Sequence, residues 1–376
     1  MKKIRVLIVD DAVVIRKIVS DVLSTDSQIE IAGVAANGRI ALQKIPQCNP
    51  DVITLDVEMP ELDGISTVRE LRKIYPKLPV IMFSTLTERG AEATLDALSA
   101  GASDYCTKPA NVGSVAEARE RVRSELLSKI FALTNTHPAS SQDSEPAPTL
   151  VNTAKMPSQA RPVAQRASTE RIDIVTIGVS TGGPNALAEV IPALAADLPV
   201  PLVCVQHMPP LFTKMLAERL DRDSKITVVE GADGMSLSPG QMYIAPGGKH
   251  MVIARRGNDY CLALNELPPE NSCRPAADPL FRSVAEHFGA HALGVVLTGM
   301  GQDGLRGSQA LKEVGAAVLA QDKESSVVWG MPGYVAEAGL ADAVVPLSQI
   351  AHQIQTWLRR GRASCSQPQV FEGVKD

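Results

Sequence analysis

Hydrophobic and polar positions change period repeatedly along this chain. Short apolar runs rich in branched residues alternate with longer stretches whose apolar positions recur every three or four residues. Over the first 130 residues, the runs Ile4–Val9, Ile29–Ala35, 52–55, 80–83 and Asp104–Thr107 predict strands, and Val13–Leu23, Gly64–Ile74 and 91–100 predict amphipathic helices. Five strands alternating with helices predict a parallel sheet with helices on both faces. The pattern stops at residue 134. Residues 134–170 hold five prolines among Ser, Thr, Gln and Ala, with almost no apolar periodicity. A structureless stretch of that length inside one compact domain is improbable, so it reads as a flexible tether between domains.

Alternation resumes at Arg171. Strands are expected at 172–179, 202–206, 226–229, 241–245, 251–254, 261–264, 293–298 and 317–320, with Gly247-Gly248 suggesting a hairpin between two of them. The expected organisation is thus an α/β unit over 1–130, a linker over 131–170, a second doubly wound α/β unit with an antiparallel hairpin over 171–360, and a poorly ordered tail over 361–376.

Composition narrows the classes of function. Of 376 residues, 45% are hydrophobic and 21% charged, which is ordinary for a globular protein. A net charge of −5 and 3% aromatics argue against nucleic acid as a partner, because phosphate binding wants a basic stripe and base stacking wants rings. The six cysteines form no C-x-x-C pair and are expected to be small core hydrophobes in a reducing compartment. No apolar run approaches the ~18 residues of a membrane span. The expected location is the cytoplasm, without membrane insertion.

The chemistry gathers where strands end. Asp10 and Asp11 follow the first strand, Asp56 the third, Ser84 the fourth and Lys108 the fifth. All fall on the carboxyl edge of one parallel sheet, the edge at which such sheets bind ligands. Carboxylates crowded there repel one another and favour a hard divalent cation such as Mg²⁺. A metal and a lysine together can neutralise a phosphoryl group carried on a carboxylate. Any one of these residues alone would read as a solvated loop charge or a helix cap.

In the second half, Ser180 sits in Gly178-Val-Ser-Thr-Gly182, which matches the G-x-S-x-G elbow. Alone, that segment could also cradle a phosphate or cap a helix. Pro184 stands where a Walker loop would want its lysine and hydroxyl, and His207 stands at the next strand end in place of a dinucleotide-binding acid. A serine hydroxyl needs a base, and of six histidines His207 alone ends a strand on the edge of Ser180. Asp303, in Thr298-Gly-Met-Gly-Gln-Asp-Gly304, is the carboxylate chosen to orient the imidazole; alone it would read as an Asx-turn or cap. The order Ser, His, Asp differs from that of α/β-hydrolases, so that fold is not assigned.

Residues 3–125 resemble the receiver domain of two-component response regulators, through the double aspartate, Asp56-Val-Glu-Met-Pro-Glu-Leu-Asp-Gly64, Ser84 and Lys108-Pro109. The resemblance implies that Asp56 accepts phosphate from a histidine kinase, that Asp10, Asp11, Asp56 and the Glu58 carbonyl hold Mg²⁺, that Ser84 and Lys108 bind the phosphoryl group, and that Tyr105 is a switching aromatic. The second half, behind such a receiver, resembles the chemotaxis protein-glutamate methylesterases, through Ile177-Gly-Val-Ser-Thr-Gly-Gly183, Gln206-His-Met208, Tyr243-Ile-Ala-Pro-Gly247 with His250, and Leu297-Thr-Gly-Met-Gly-Gln-Asp-Gly304. This implies Ser180 as nucleophile, His207 as base, Asp303 as orienter, and the Met300 amide with Thr181 as oxyanion donors, with no cofactor in that domain. It also implies a chemotaxis histidine kinase and methylated chemoreceptor cytoplasmic domains as partners, deamidation of receptor glutamines as a second reaction, and gating by the receiver. Cys273-Arg-Pro-Ala-Ala-Asp278 departs from the family's Arg-Pro-Ser-Val-Asp, so a hydroxyl is lost there. A competing reading is a response regulator whose second half binds a partner through the same glycine-rich edge without catalysis.

Overall fold

The computed structural model describes residues 3–108, 115–134 and 171–365. Nearly all of the expected tether, and the end of the expected tail, lie outside these residues, as does Pro109.

The first sheet is built from β1 (Ile4–Val9), β2 (Ile29–Ala35), β3 (Val52–Asp56), β4 (Val80–Ser84) and β5 (Asp104–Thr107), in the order β2-β1-β3-β4-β5 and parallel throughout. Side chains alternate between its faces, as strand geometry dictates. Leu7 and Val9 join the apolar layer under α2 (Gly38–Cys48), α3 (Gly64–Ile74) and α4 (Glu88–Ser99); Val6 and Ile8 join the layer under α1 (Val13–Leu23) and α5 (Val115–Leu133). Side-chain caps fix several helix starts: Asn37 accepts from the Ile40 amide at 2.9 Å and Asp63 from the Ser66 amide at 2.8 Å.

The second sheet has seven parallel strands. They are β6 (Ile174–Val179), β7 (Leu202–Gln206), β8 (Thr227–Glu230), β9 (Gln241–Ile244), β12 (Ala292–Val296), β13 (Ala317–Gln321) and β14 (Ala343–Val345), in the order β14-β13-β12-β6-β7-β9-β8. The antiparallel element is a separate two-stranded sheet, β10 (His250–Arg256) with β11 (Asp259–Asn265). It turns at Gly257, not at Gly247-Gly248. The latter pair instead carries the chain from the main sheet to β10, because a side chain on Gly247 would meet the Pro209–Pro210 backbone at 2.2 Å. Strand β14 was not expected: three residues with only Val344 between two alanine- and valine-sized neighbours give too little period to read. Helices α6 (Gly183–Val190), α7 (Phe212–Asp223) and α11 (Leu347–Cys365) cover one face; α8 (Ala277–Phe288), α9 (Leu305–Glu313) and α10 (Met331–Glu337) cover the other.

The two units touch. One apolar cluster runs without a break from Leu95, Leu98 and Tyr105 of the first to Phe212 and Leu216 of the second. The Tyr105 and Phe212 rings stack with centroids 5.0 Å apart. Arg219 of α7 pairs with Asp96 of α4 at 2.9 Å, and Asn185 of α6 donates to the Ala102 carbonyl at 3.3 Å. Among the described residues, no helix is long and apolar enough to cross a membrane.

Candidate active site

Two clusters form, one at the carboxyl edge of each sheet. In the first, Asp10, Asp11 and Asp56 bring carboxylate oxygens within 4.8 Å of one another. Asp10 and Asp56 are buried and Asp11 is exposed. The Lys108 ammonium lies 2.7 Å from Asp56 and 3.0 Å from Asp10. Burial pushes the Asp56 carboxyl up to about 6, helped by the Asp10 charge and opposed by Lys108 and the Glu58 amide. Asp56 is therefore ionised at neutral pH but poorly solvated, which suits a nucleophile. A cavity of about 220 Å³ opens over it, lined by Asp11, Asp56, Glu58, Ser84, Thr85 and Lys108. The Ser84 hydroxyl donates to the Gly90 carbonyl at 3.0 Å, and the exposed Glu58 carboxylate pairs with Arg89 at 3.1 Å. Three carboxylates this close to one another, two of them lining the cavity, fit a hard, oxygen-liganded divalent cation.

The second cluster lies where β12, β6 and β7 run side by side. Ser180 leaves β6 in a tight turn: its amide donates to the Thr298 carbonyl at 3.0 Å, and its carbonyl accepts from Gly183 at 2.7 Å. The turn requires glycine. Gly182 has φ +77, and a side chain on Gly183 would strike the Gln206 Oε1 atom at 1.9 Å. Buried Gln206 uses its amide nitrogen to hold the carbonyls of Ser180 at 3.1 Å and His207 at 3.3 Å, tying the two strand ends together.

His207 Nε2 lies 2.7 Å from Asp303 Oδ2, and both side chains are nearly enclosed. The carboxylate therefore holds the proton on Nε2, and Nδ1 is the nitrogen left to take one. Among the described residues, no hydrogen bond joins the Ser180 hydroxyl to that ring. Asp303 also accepts from the Ala277 amide at 2.6 Å, the Asp278 and Gly304 amides at 3.0 Å, and Asn271 Nδ2 at 3.0 Å. It thus caps the start of α8, where the helix dipole favours an anion. Burial opposes its charge, yet the His207 bond and these amides hold it below the usual carboxylate range. Burial likewise opposes charge on His207, but Asp303 and the adjacent Cys273 thiol hold the imidazolium well above its ordinary range.

Met300 follows Gly299, whose amide and carbonyl are pinned to Val328 and Gly330 at 3.0 and 3.1 Å. A Cβ on Gly299 would sit 2.9 Å from the Ser180 Cβ, so the Met300 peptide leaves from beside the serine. Thr181 is buried, and its carbonyl accepts from the Thr298 hydroxyl at 3.0 Å.

Three residues at this edge were missed in the sequence. Asn271 and Gln206 are neutral, and nothing in a linear pattern shows an amide aimed at a distant site. Cys273 was grouped with the core cysteines. Cys48, Cys106, Cys204 and Cys261 are indeed buried, but Cys273 is only half-buried and touches His207. Its signal was its setting: a polar, non-periodic segment, not an apolar run. The side chain of Cys365 lies outside the described residues.

Comparison with known proteins matches residues 175–354 to the CheB methylesterase family and residues 6–120 to the response regulator receiver domain. A Trichodesmium erythraeum protein named protein-glutamate methylesterase/protein-glutamine glutaminase is 51% identical over 354 residues, covering 94% of this chain and 99% of its own. A Nocardioides protein of the same name is 50% identical over 369 residues, covering 97% and 98%. Among solved structures, the catalytic domain of Thermotoga maritima CheB is similar at 44% identity and TM-score 0.48, over 49% of this chain and 97% of that one. The response regulator domain of the same protein is similar at 40% identity and TM-score 0.33, over 36% and 100%.

Proposed function

This chain belongs to the CheB methylesterase family with an N-terminal response regulator receiver, and from that premise we propose that it is a phosphorylation-activated protein-glutamate methylesterase of chemotactic adaptation, with protein-glutamine glutaminase activity at the same site. The reading divides it into a receiver over 1–130 and a catalytic unit over 171–360, and places it in the cytoplasm.

Ser180 is the nucleophile. Its oxygen attacks the γ-carbonyl of a glutamyl methyl ester on the cytoplasmic domain of a chemoreceptor, while His207 Nδ1 takes its proton. Asp303 stabilises the resulting imidazolium. The amides of Met300 and Thr181 receive the oxyanion. The imidazolium returns its proton to the leaving methoxide, releasing methanol and an acyl-enzyme. Water, deprotonated by His207, then frees the glutamate and Ser180. With a glutamine, the leaving group is ammonia. The observation that carries this reading is the 2.7 Å bond between enclosed His207 and Asp303, at a strand end tied by Gln206 to the serine turn.

In the receiver, Asp56 takes a phosphoryl group from a chemotaxis histidine kinase, and Lys108 and Ser84 hold its oxygens. Asp10, Asp11, Asp56 and the Glu58 carbonyl are the residues that would hold Mg²⁺, which when bound screens phosphoryl charge.

Methanol release from methylated receptor membranes tests the assignment. Ser180→Ala should reduce it at least a thousand-fold, in line with loss of a triad nucleophile, while phosphorylation of Asp56 by a small phosphodonor persists. Methanol release near the parent rate in that variant would falsify the esterase mechanism.

A further inference from the structure

The carboxylate that holds His207 has a second carboxylate beside it. Asp278 and Asp303 are each 1% exposed. Asn271 Nδ2 lies 3.0 Å from Asp278 Oδ2 and 3.0 Å from Asp303 Oδ1, so one amide nitrogen donates to both acids. Asp278 Oδ1 accepts from the Gly304 and Gly307 amides at 2.9 and 2.7 Å. Few charged groups face the pair. His207 meets Asp303, and the Cys273 thiol lies against the imidazole. Arg282 acts on Asp278 from within α8, but its guanidinium is paired with Glu270 at 2.5 Å. Among the described residues, no lysine or arginine forms an ion pair with either acid.

Two anions this deep disfavour each other's ionisation. Burial and then the Asp303 charge both push Asp278 up, while Gly307, Asn271 and Arg282 pull it down. The amide is held there against backbone preference. Asn271 and Ser272 sit at φ +50 and +62, fixed by paired backbone bonds of 3.1 and 2.8 Å between Glu270 and Cys273.

We propose that Asn271 is a positioning residue for the ester hydrolysis, its amide tying Asp278 to Asp303 so that the two carboxylates do not lock His207 in its protonated form. The inference rests on the roles given above to Ser180, His207 and Asp303. His207 must be neutral to take the serine proton. Without the amide, the negative charge of the two acids falls more fully on the imidazolium, which then keeps its proton to higher pH. The acid limb of the rate profile follows His207 and so moves upward. Removing the Asp278 charge moves it back.

Asn271→Gly is the variant of choice, because glycine accepts φ +50 freely and only the amide is lost. Methanol release from methylated receptor membranes is followed across pH with the full chain and excess phosphodonor. The acid limb of N271G should rise by about one pH unit. The double variant N271G/D278N should bring it back by at least half. A limb that does not move in N271G overturns the proposal. So does a loss that is uniform at every pH and that D278N does not relieve, which is the mark of a merely structural role. Should the double variant not fold, the His207 titration read by NMR in N271G takes its place. An upward move of the same size supports the proposal, and an unchanged midpoint overturns it. Ser180→Ala is run in parallel. Activity surviving in S180A removes the esterase reading and this inference with it, whereas a silent S180A beside an unmoved N271G limb removes Asn271 alone.

Discussion

At the scale of single residues, the two clusters place charge in opposite ways. Asp303 is an anion with five donors around it; Asp56 is an anion with little more than Lys108. The first is favoured by folding and the second is opposed by it. For Asp56 the sign follows from its shift from 3.8 up to about 6. A folded-state pKa above the unfolded one stabilises the fold below the unfolded value, and that contribution is lost as pH rises through the folded value. Between about pH 4 and 6 the N-terminal unit should therefore lose stability through this residue, on the order of 2–3 kcal/mol. Asp56→Asn removes the loss. Urea unfolding of the two forms in chelator should coincide near pH 4 and diverge by pH 7, with the variant the more stable. Divalent cation should then narrow the gap by stabilising the parent alone. A difference that is constant across pH, or a less stable variant at pH 7, would show that burial does not govern Asp56.

At the scale of elements, the strand ends were legible and the links between sites were not. Each of Asp10, Asp56, Ser84, Ser180 and His207 follows a run rich in branched apolar residues, Lys108 follows the short strand Asp104–Thr107, and a parallel sheet brings such ends to one edge whatever their separation in sequence. Asp303 was readable for the same reason, although seven residues past β12, because its glycines mark a turn. Asn271 and Cys273 were not, since their positions depend on left-handed backbone in a segment without period. The antiparallel turn was misplaced because Gly247-Gly248 is a stronger local signal than Gly257-Asn258, and only packing against Pro209–Pro210 shows what the first pair is for. The contact between α4 and α7 was equally invisible, because a face that is apolar toward another domain reads like one that is apolar toward its own core. That contact has a charged rim, Asp96 with Arg219. Exposed pairs contribute about 0–1 kcal/mol, but like charges placed there repel by a similar amount. Asp96→Arg should therefore raise methanol release without phosphodonor several-fold, and Arg219→Asp in the same chain should restore the low basal rate. Equal basal rates in all three forms would mean that this rim does not hold the units together.

At the scale of the whole molecule, the arrangement offers two ways for the receiver to restrain the esterase, and they differ in what they do to small substrates. The receiver docks on α6 and α7, the helices that begin just beyond Ser180 and His207. Tyr105 is clamped between Phe212 at 5.0 Å on one face and the Lys129 ammonium at 4.8 Å from its centroid. Docking of this kind excludes a receptor helix by bulk. It could instead act inward, through Phe212 and the segment back to His207, by keeping the imidazole from the serine. Occlusion leaves the chemistry intact, so a small soluble ester reaches Ser180 with the receiver closed. Misalignment slows every ester alike. Among the described residues, the strand ends carrying Ser180 and His207 are fixed by sheet hydrogen bonds and by Gln206, with no hydrogen bond to them from the receiver, which favours occlusion. On the proposed reading, phosphorylation shifts the population toward undocked molecules and acts only as far as the two states differ in access. Phosphodonor should therefore stimulate methanol release from receptor membranes at least tenfold more than hydrolysis of a small acyl ester by the same preparation, and Asp56→Asn should abolish both effects. Equal stimulation of the two substrates would locate the restraint inside the catalytic cluster, at the Tyr105–Phe212 stack, and not at its entrance.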